Sequence, residues 1–159
     1  MHKVHFSTGN DDWETPQNLF DELNKEFGFT LDPCASDSNH KCAKYYTVEQ
    51  DGLSQSWADE IVFCNPPYSK HGGQRKWVEK CYTEAREKDI TVVALLPART
   101  DTKIFHDYIL GQAEIRFIKG RISFRSRGEE SGRAPFPNMI VIFRGRQPSS
   151  EVKGMVIKK

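Results

Sequence analysis

Apolar residues recur along the chain with two periods, and the change from one to the other predicts the order of elements. Leu19, Phe20, Leu23 and Phe27 fall on one face of a helix. Thr15 stands where an N-cap belongs, Pro16 takes the first helical position, and Gly28 can end the helix in a left-handed conformation. Phe29 to Asp32 reads as a short strand, and residues 33–60 are mostly polar and irregular. Ile61 to Cys64 is a buried strand ending at Asn65. Trp77, Val78, Cys81, Tyr82 and Ala85 form a second helical stripe. Thr91 to Leu96 is an almost unbroken apolar run, the mark of a strand covered on both faces. Asp101 would cap a helix carrying Ile104, Phe105, Tyr108 and Ile109. Ile115 to Ile118, Ile122 to Phe124 and Met139 to Phe143 read as further strands. From Gly145 the pattern dissolves, with at most an edge strand from Val152 to Ile157. The expectation is one domain over residues 1–146 and a C-terminal tail over 147–159.

Strands alternating with helices predict an α/β sheet, largely parallel. Composition agrees: 159 residues, 37% of them apolar, suit one core and argue against a disordered chain. Runs such as Val92 to Leu96 are too short to span a bilayer, and Met1-His2-Lys3-Val4-His5 has no apolar signal region. Neither a membrane protein nor a repeat array is therefore expected. Cys34, Cys42, Cys64 and Cys81 form no C-x-x-C pair, and Cys34, His40 and Cys42 have no obvious fourth ligand. Free thiols in a reducing cytoplasm are expected rather than a metal site. Net charge is only +1, but residues 1–60 hold 4 Lys/Arg against 12 Asp/Glu, and residues 99–146 hold 10 against 5. A polyanion would be steered to the second region, although ordinary solvated surface is the plainer reading of such charge. Seven of those ten cations are arginines from Arg116 onward, and their planar, permanently charged fork suits phosphate.

Ligands of parallel sheets sit at the carboxyl ends of the strands. The segments there are Asp32-Pro33-Cys34-Ala35-Ser36, Asn65-Pro66-Pro67-Tyr68 and Pro97-Ala98-Arg99-Thr100-Asp101. The second carries the strongest signal. Two prolines lack N–H groups, and Asn65 before a proline is pushed toward extended geometry. The turn is stiff and presents acceptors, the Asn65 side-chain oxygen and the Pro66 carbonyl, with the Tyr68 ring beside them. Two acceptors and a stacking surface fit a planar amino group; a proline turn after a buried strand is the alternative.

Asn-Pro-Pro-Tyr after an apolar strand resembles the catalytic motif of S-adenosylmethionine-dependent amino methyltransferases. The wider chain resembles the phage-type DNA N-6-adenine-methyltransferase (Dam) family. The matching pieces are Trp13-Glu14-Thr15-Pro16, Leu31-Asp32-Pro33-Cys34-Ala35, Asp51-Gly52-Leu53, Asn65 to Tyr68, Leu95 to Thr102 and Ala134-Pro135-Phe136-Pro137. The resemblance implies a compact, reduced Rossmann-like methyltransferase sheet, mostly parallel with an antiparallel C-terminal strand. It implies S-adenosyl-L-methionine as cofactor, double-stranded DNA as partner, and neither metal nor membrane. It further implies a phage- or prophage-encoded enzyme of the bacterial cytoplasm, with restriction–modification as its setting. Implied cofactor contacts are Trp13, Thr15, Pro16, Asp32, Cys34, Ala35 and Asp51. Thr15-Pro16 would lie near the methionine end, Asp32 would receive its ammonium, and Asp51 would accept the adenine amine. Asp51 before Gly52 also reads as a turn residue. The family's G-x-G is absent, with Cys34-Ala35-Ser36 in its place.

In the implied reaction, Asn65, Pro66, Pro67 and Tyr68 form the catalytic turn. Asn65 Oδ1 and the Pro66 carbonyl hold both N–H bonds of the target amine and localise its lone pair. In duplex DNA the adenine is first flipped out. Tyr68 and Phe136 would then stack on its two faces, although Phe136 reads equally as a core anchor. DNA contacts are expected at Arg99, Lys103, Arg121, Arg125, Arg127 and Arg133, with Ser126 to Gly132 a loop that orders on DNA. Recognition would come from loops, of one chain or of a homodimer. The alternatives are a protein glutamine-N5 methyltransferase and a DNA-binding module that has lost cofactor binding.

Overall fold

The structure is a computed structural model, and it describes residues 13–68, 73–126 and 129–159. Helix α1 (Gln17–Phe27) buries Leu19, Phe20 and Leu23 and ends at Gly28, whose φ of 70° lets its N–H return to the Asn24 carbonyl at 2.8 Å. Its N-cap is Pro16, with no side-chain cap bond, so the cap expected of Thr15 is not made. Strands β1 (Leu31–Asp32), β2 (Lys44–Tyr45), β3 (Val62–Cys64) and β4 (Thr91–Pro97) follow, with a 3-10 turn (Gly52–Ser54) and helix α2 (Gly73–Lys88) between them. A π-helical turn (Phe105–Ile109) leads into β5 (Glu114–Ile118), β6 (Ser123–Ser126), β7 (Glu129–Arg133), β8 (Asn138–Arg144) and β9 (Val152–Met155). The N-cap of this turn is Ile104, so the cap expected of Asp101 is not made, and the Thr102 hydroxyl accepts the Phe105 N–H at 3.3 Å.

Seven strands form one sheet in the order β2-β1-β3-β4-β8-β5-β9. Strand β8 is antiparallel to both neighbours, and every other pairing is parallel. This is the mostly parallel, Rossmann-like sheet with a reversed late strand that the resemblance implies. Period-two alternation divides the core. Val92, Ala94 and Leu96 face Val78, Cys81 and Ala85 of α2, whereas Val93 and Leu95 face Leu19, Phe20 and Leu23 of α1. Both faces are covered, which is why these strands read as continuous apolar runs.

Two elements depart from the sequence reading. Strand β2 lies inside the stretch that reads as irregular, because two residues with Lys44 exposed carry no pattern. The expected loop from Ser126 to Gly132 includes β7, paired antiparallel to β6. The edge strand expected between Val152 and Ile157 is β9, parallel to β5 at the end of the sheet, with Met155 and Ile157 packed on the core.

Candidate active site

The carboxyl ends of β1, β3 and β4 present Asp32, Asn65 and the segment from Pro97 to Arg99 along one edge. Because β8 is reversed, its beginning lies at that same edge and brings Phe136 with it.

Asn65 is the centre of the arrangement. Its Nδ2 donates to the Trp13 carbonyl at 2.7 Å and to Thr15 Oγ1 at 3.0 Å. A backbone carbonyl can only accept, so the atom facing Trp13 must be the nitrogen. The carboxamide is thereby oriented, and Oδ1 is left buried with no hydrogen bond among the described residues. The Pro66 carbonyl, expected to be open, receives Gln74 Nε2 at 3.3 Å; the same nitrogen donates to the Pro67 carbonyl at 2.8 Å. Gln74 has no signature in the sequence, since it bonds the turn only after α2 folds back over it.

Tyr68 sits among aromatic rings, with centroids 6.4 Å from Trp13, 6.1 Å from Phe124 and 5.4 Å from Phe136. Tyr68 and Phe136 meet edge to face at 70°, which leaves no slot for a base between them in this arrangement. The Arg99 guanidinium lies over Phe136, 5.3 Å from the ring centre. Burial pushes the Tyr68 hydroxyl above the usual phenol range, and the approach of Asn138 and the charge of Arg99 only partly offset it. That approach is not a hydrogen bond: Tyr68 Oη and Asn138 Oδ1 are both buried and have no hydrogen-bond partner among the described residues. Beside Tyr68 and Gln74 opens a cavity of about 360 Å³, rimmed by Arg75, Arg99 and Thr102 and floored by Phe105, Ile109 and Met139.

The segment after β1 is braced from within. Asp32 is buried, and its two oxygens accept the N–H groups of Cys34 at 3.3 Å and Lys41 at 2.9 Å. Burial raises its carboxyl above the usual range despite those bonds. Ala35 is buried and its N–H donates to the Tyr46 carbonyl at 2.9 Å. Cys34 Sγ lies 3.5 Å from Cys64 Sγ, and burial pushes the Cys34 thiol up to about 11. Asp51 caps the 3-10 turn with φ 55°, and its exposed carboxylate makes no hydrogen bond with the described residues. Gly52 beside it permits close approach: a Cβ there would stand 2.3 Å from the Pro33 carbonyl oxygen.

Arg99, Lys103, Arg121, Arg125 and Arg133 are all exposed, and Arg127 lies outside the described residues. Arg99 reaches the site through Phe136, and the Arg125 backbone bridges to Glu14. Among the described residues no three His, Cys, Asp or Glu side chains converge on a metal position, and no helix is long and apolar enough to cross a membrane.

The chain matches the family model described as DNA N-6-adenine-methyltransferase (Dam) over residues 5–159. A DNA N-6-adenine-methyltransferase of Haemophilus phage HP1 (strain HP1c1) is 31% identical over 150 residues, covering 91% of this chain and 85% of that protein. One of Escherichia phage T1 is 31% identical over 147 residues, covering 91% of this chain and 60% of that protein. With the sheet order and the Asn65 turn already placed, these matches assign the chain to the DNA N-6-adenine-methyltransferase (Dam) family.

Proposed function

We propose that this protein methylates the N6 amino group of adenine in double-stranded DNA, with S-adenosylmethionine as donor and the target base flipped out. The observation that carries the reading is Asn65 Oδ1, an oriented, buried acceptor with no partner among the described residues. It accepts one N–H of the adenine amine. The Pro66 carbonyl accepts the other once the 3.3 Å bond from Gln74 yields. Held at both hydrogens, the nitrogen directs its lone pair away from the ring. S-adenosylmethionine, when bound, supplies an electrophilic sulfonium methyl group. The residues suit this donor unevenly. Asp51 offers a carboxylate for the adenine amine of the cofactor, whereas the Asp32 oxygens already hold backbone N–H groups. Asp32 therefore braces the loop of Cys34 and Ala35, with Trp13 and Pro16 across the edge. Burial pushes the Cys34 and Cys64 thiols above their ordinary range, so neither offers a thiolate beside the turn. Tyr68 and Phe136 stack on the base after their edge contact opens, and the exposed cations take the flanking phosphates.

One observation favours a second reading, a protein glutamine-N5 methyltransferase: the carboxamide of Gln74 already sits on the two prolyl carbonyls. Methyl-labelled S-adenosylmethionine offered with DNA, with protein extract and with no acceptor separates the two. Label in DNA that digests to an N6-methylated adenine nucleoside is expected. Label in protein alone, or in neither, overturns the proposal.

A further inference from the structure

Asn65 is held entirely by the extended segment before α1. Its two N–H groups go to the Trp13 carbonyl and to Thr15 Oγ1. Between those residues Glu14 is pinned to β6: its N–H donates to the Arg125 carbonyl at 2.7 Å, and its carbonyl accepts the Arg125 N–H at 3.2 Å. The segment is thus a strap, tied to the β6–β7 hairpin on one edge and gripping Asn65 on the other. Thr15 is 2% exposed and makes no cap to α1, so its hydroxyl serves no local purpose. The last torsion of an asparagine is broad, and a single bond to Trp13 would let the carboxamide plane rock. The second bond fixes that plane and with it the direction of Oδ1.

We propose that Thr15 is a positioning residue for Asn65, its hydroxyl accepting the amide N–H that fixes the direction of Oδ1. This rests on the amino-methyltransferase reading for its kinetic arm only. The test uses the whole chain with Thr15→Val, which removes the hydroxyl at nearly constant shape, and Thr15→Ser, which keeps it. The structural arm reads hydrogen exchange of the Asn65 side-chain amide by NMR in protein without cofactor, the signal being identified by its loss in Asn65→Asp. Slow exchange is expected in wild type and Thr15→Ser, and faster exchange in Thr15→Val. The kinetic arm is run at saturating S-adenosylmethionine. There Thr15→Val should lower kcat by about 10–100-fold, the scale of a misplaced reacting geometry, while Thr15→Ser restores it and cofactor affinity holds. Should Thr15→Val fail to fold by circular dichroism, Thr15→Ala replaces it with the same expectations. Unchanged Asn65 exchange overturns the proposal, as does weakened cofactor binding with kcat intact. A wild type that methylates no DNA removes the functional reading, and the exchange arm still decides the role of Thr15.

Discussion

A buried side-chain oxygen left without a hydrogen bond costs about 1–3 kcal/mol, and Asn65 Oδ1 has none among the described residues, its carboxamide nitrogen being fully engaged. Groups of this kind persist where a partner arrives later. Asn65→Ala should therefore lower the methyl-transfer rate by about 10²–10³-fold, as loss of one preorganised group does. Its affinity for S-adenosylmethionine should hold in calorimetry, because in the proposed reaction the acceptor faces the amine and not the donor. Loss of affinity in step with rate would place Asn65 on the cofactor. Gly52 is decided by space. An added Cβ would press to 2.3 Å from the Pro33 carbonyl oxygen, which belongs to backbone and cannot swing aside. Gly52→Ala should destabilise the fold by about 1–3 kcal/mol, as overpacking does. An unshifted urea midpoint would show that β1 and the 3-10 turn can part freely.

At the scale of elements, the reversed strand matters most. Running against its neighbours, β8 begins where β3 and β4 end, so the chain entering it delivers Phe136 to the Asn65 edge. Its other end is tied by charge. Glu114 of β5 accepts from Arg116 at 2.8 Å, from Arg144 of β8 at 2.9 Å, and pairs with Lys153 of β9 at 3.4 Å. Burial of Glu114 opposes its ionisation, but the hydrogen bonds from Arg144 and Arg116 outweigh it and hold the carboxyl at about 2. A folded value below the ordinary 4.5 means the stabilisation is complete above that pH and is lost as pH falls toward 2. Glu114→Gln should lower stability by about 1–3 kcal/mol near neutral pH, the range for hydrogen bonds to charged groups. It should also flatten the acid limb of a urea-midpoint profile taken from about pH 6 to about pH 3. An acid limb as steep as that of wild type would assign it to other carboxylates.

Over the whole molecule, charge is divided. The acidic first third holds the β1 and β2 side of the edge, and the exposed cations Arg99, Lys103, Arg121, Arg125 and Arg133 lie in the later half of the chain. Arg121 and Arg133 make no ion pair with the described residues, so their charge is open to a polyanion. DNA affinity should fall with salt. Arg121→Gln or Arg133→Gln should each reduce the log–log slope by about 0.9, the value for one phosphate no longer neutralised. Cofactor affinity should not move. An affinity for DNA that ignores salt would remove these residues from the interface.

The sequence by itself determined the elements whose burial is written as a local period. These are the α1 stripe, β3, β4 and β8, and the turn of Asn65 at the end of a buried strand. Strands covered on both faces must be apolar at every position, and an amphipathic helix must repeat every three to four residues. Lys44–Tyr45 is too short to carry such a mark, and the edge strand at Val152, half exposed, carries a weak one. The same limit holds in the site. Thr15 reads locally as a helix cap, yet its hydroxyl takes the amide of a residue 50 positions away. Pro66 reads as an open acceptor until α2 lays Gln74 across it. Tyr68 and Phe136 are both legible as aromatic residues at the active edge, but not that they touch. Only the tertiary structure decided these points, because each depends on hydrogen bonds or contacts between segments whose separation along the chain has no period to read.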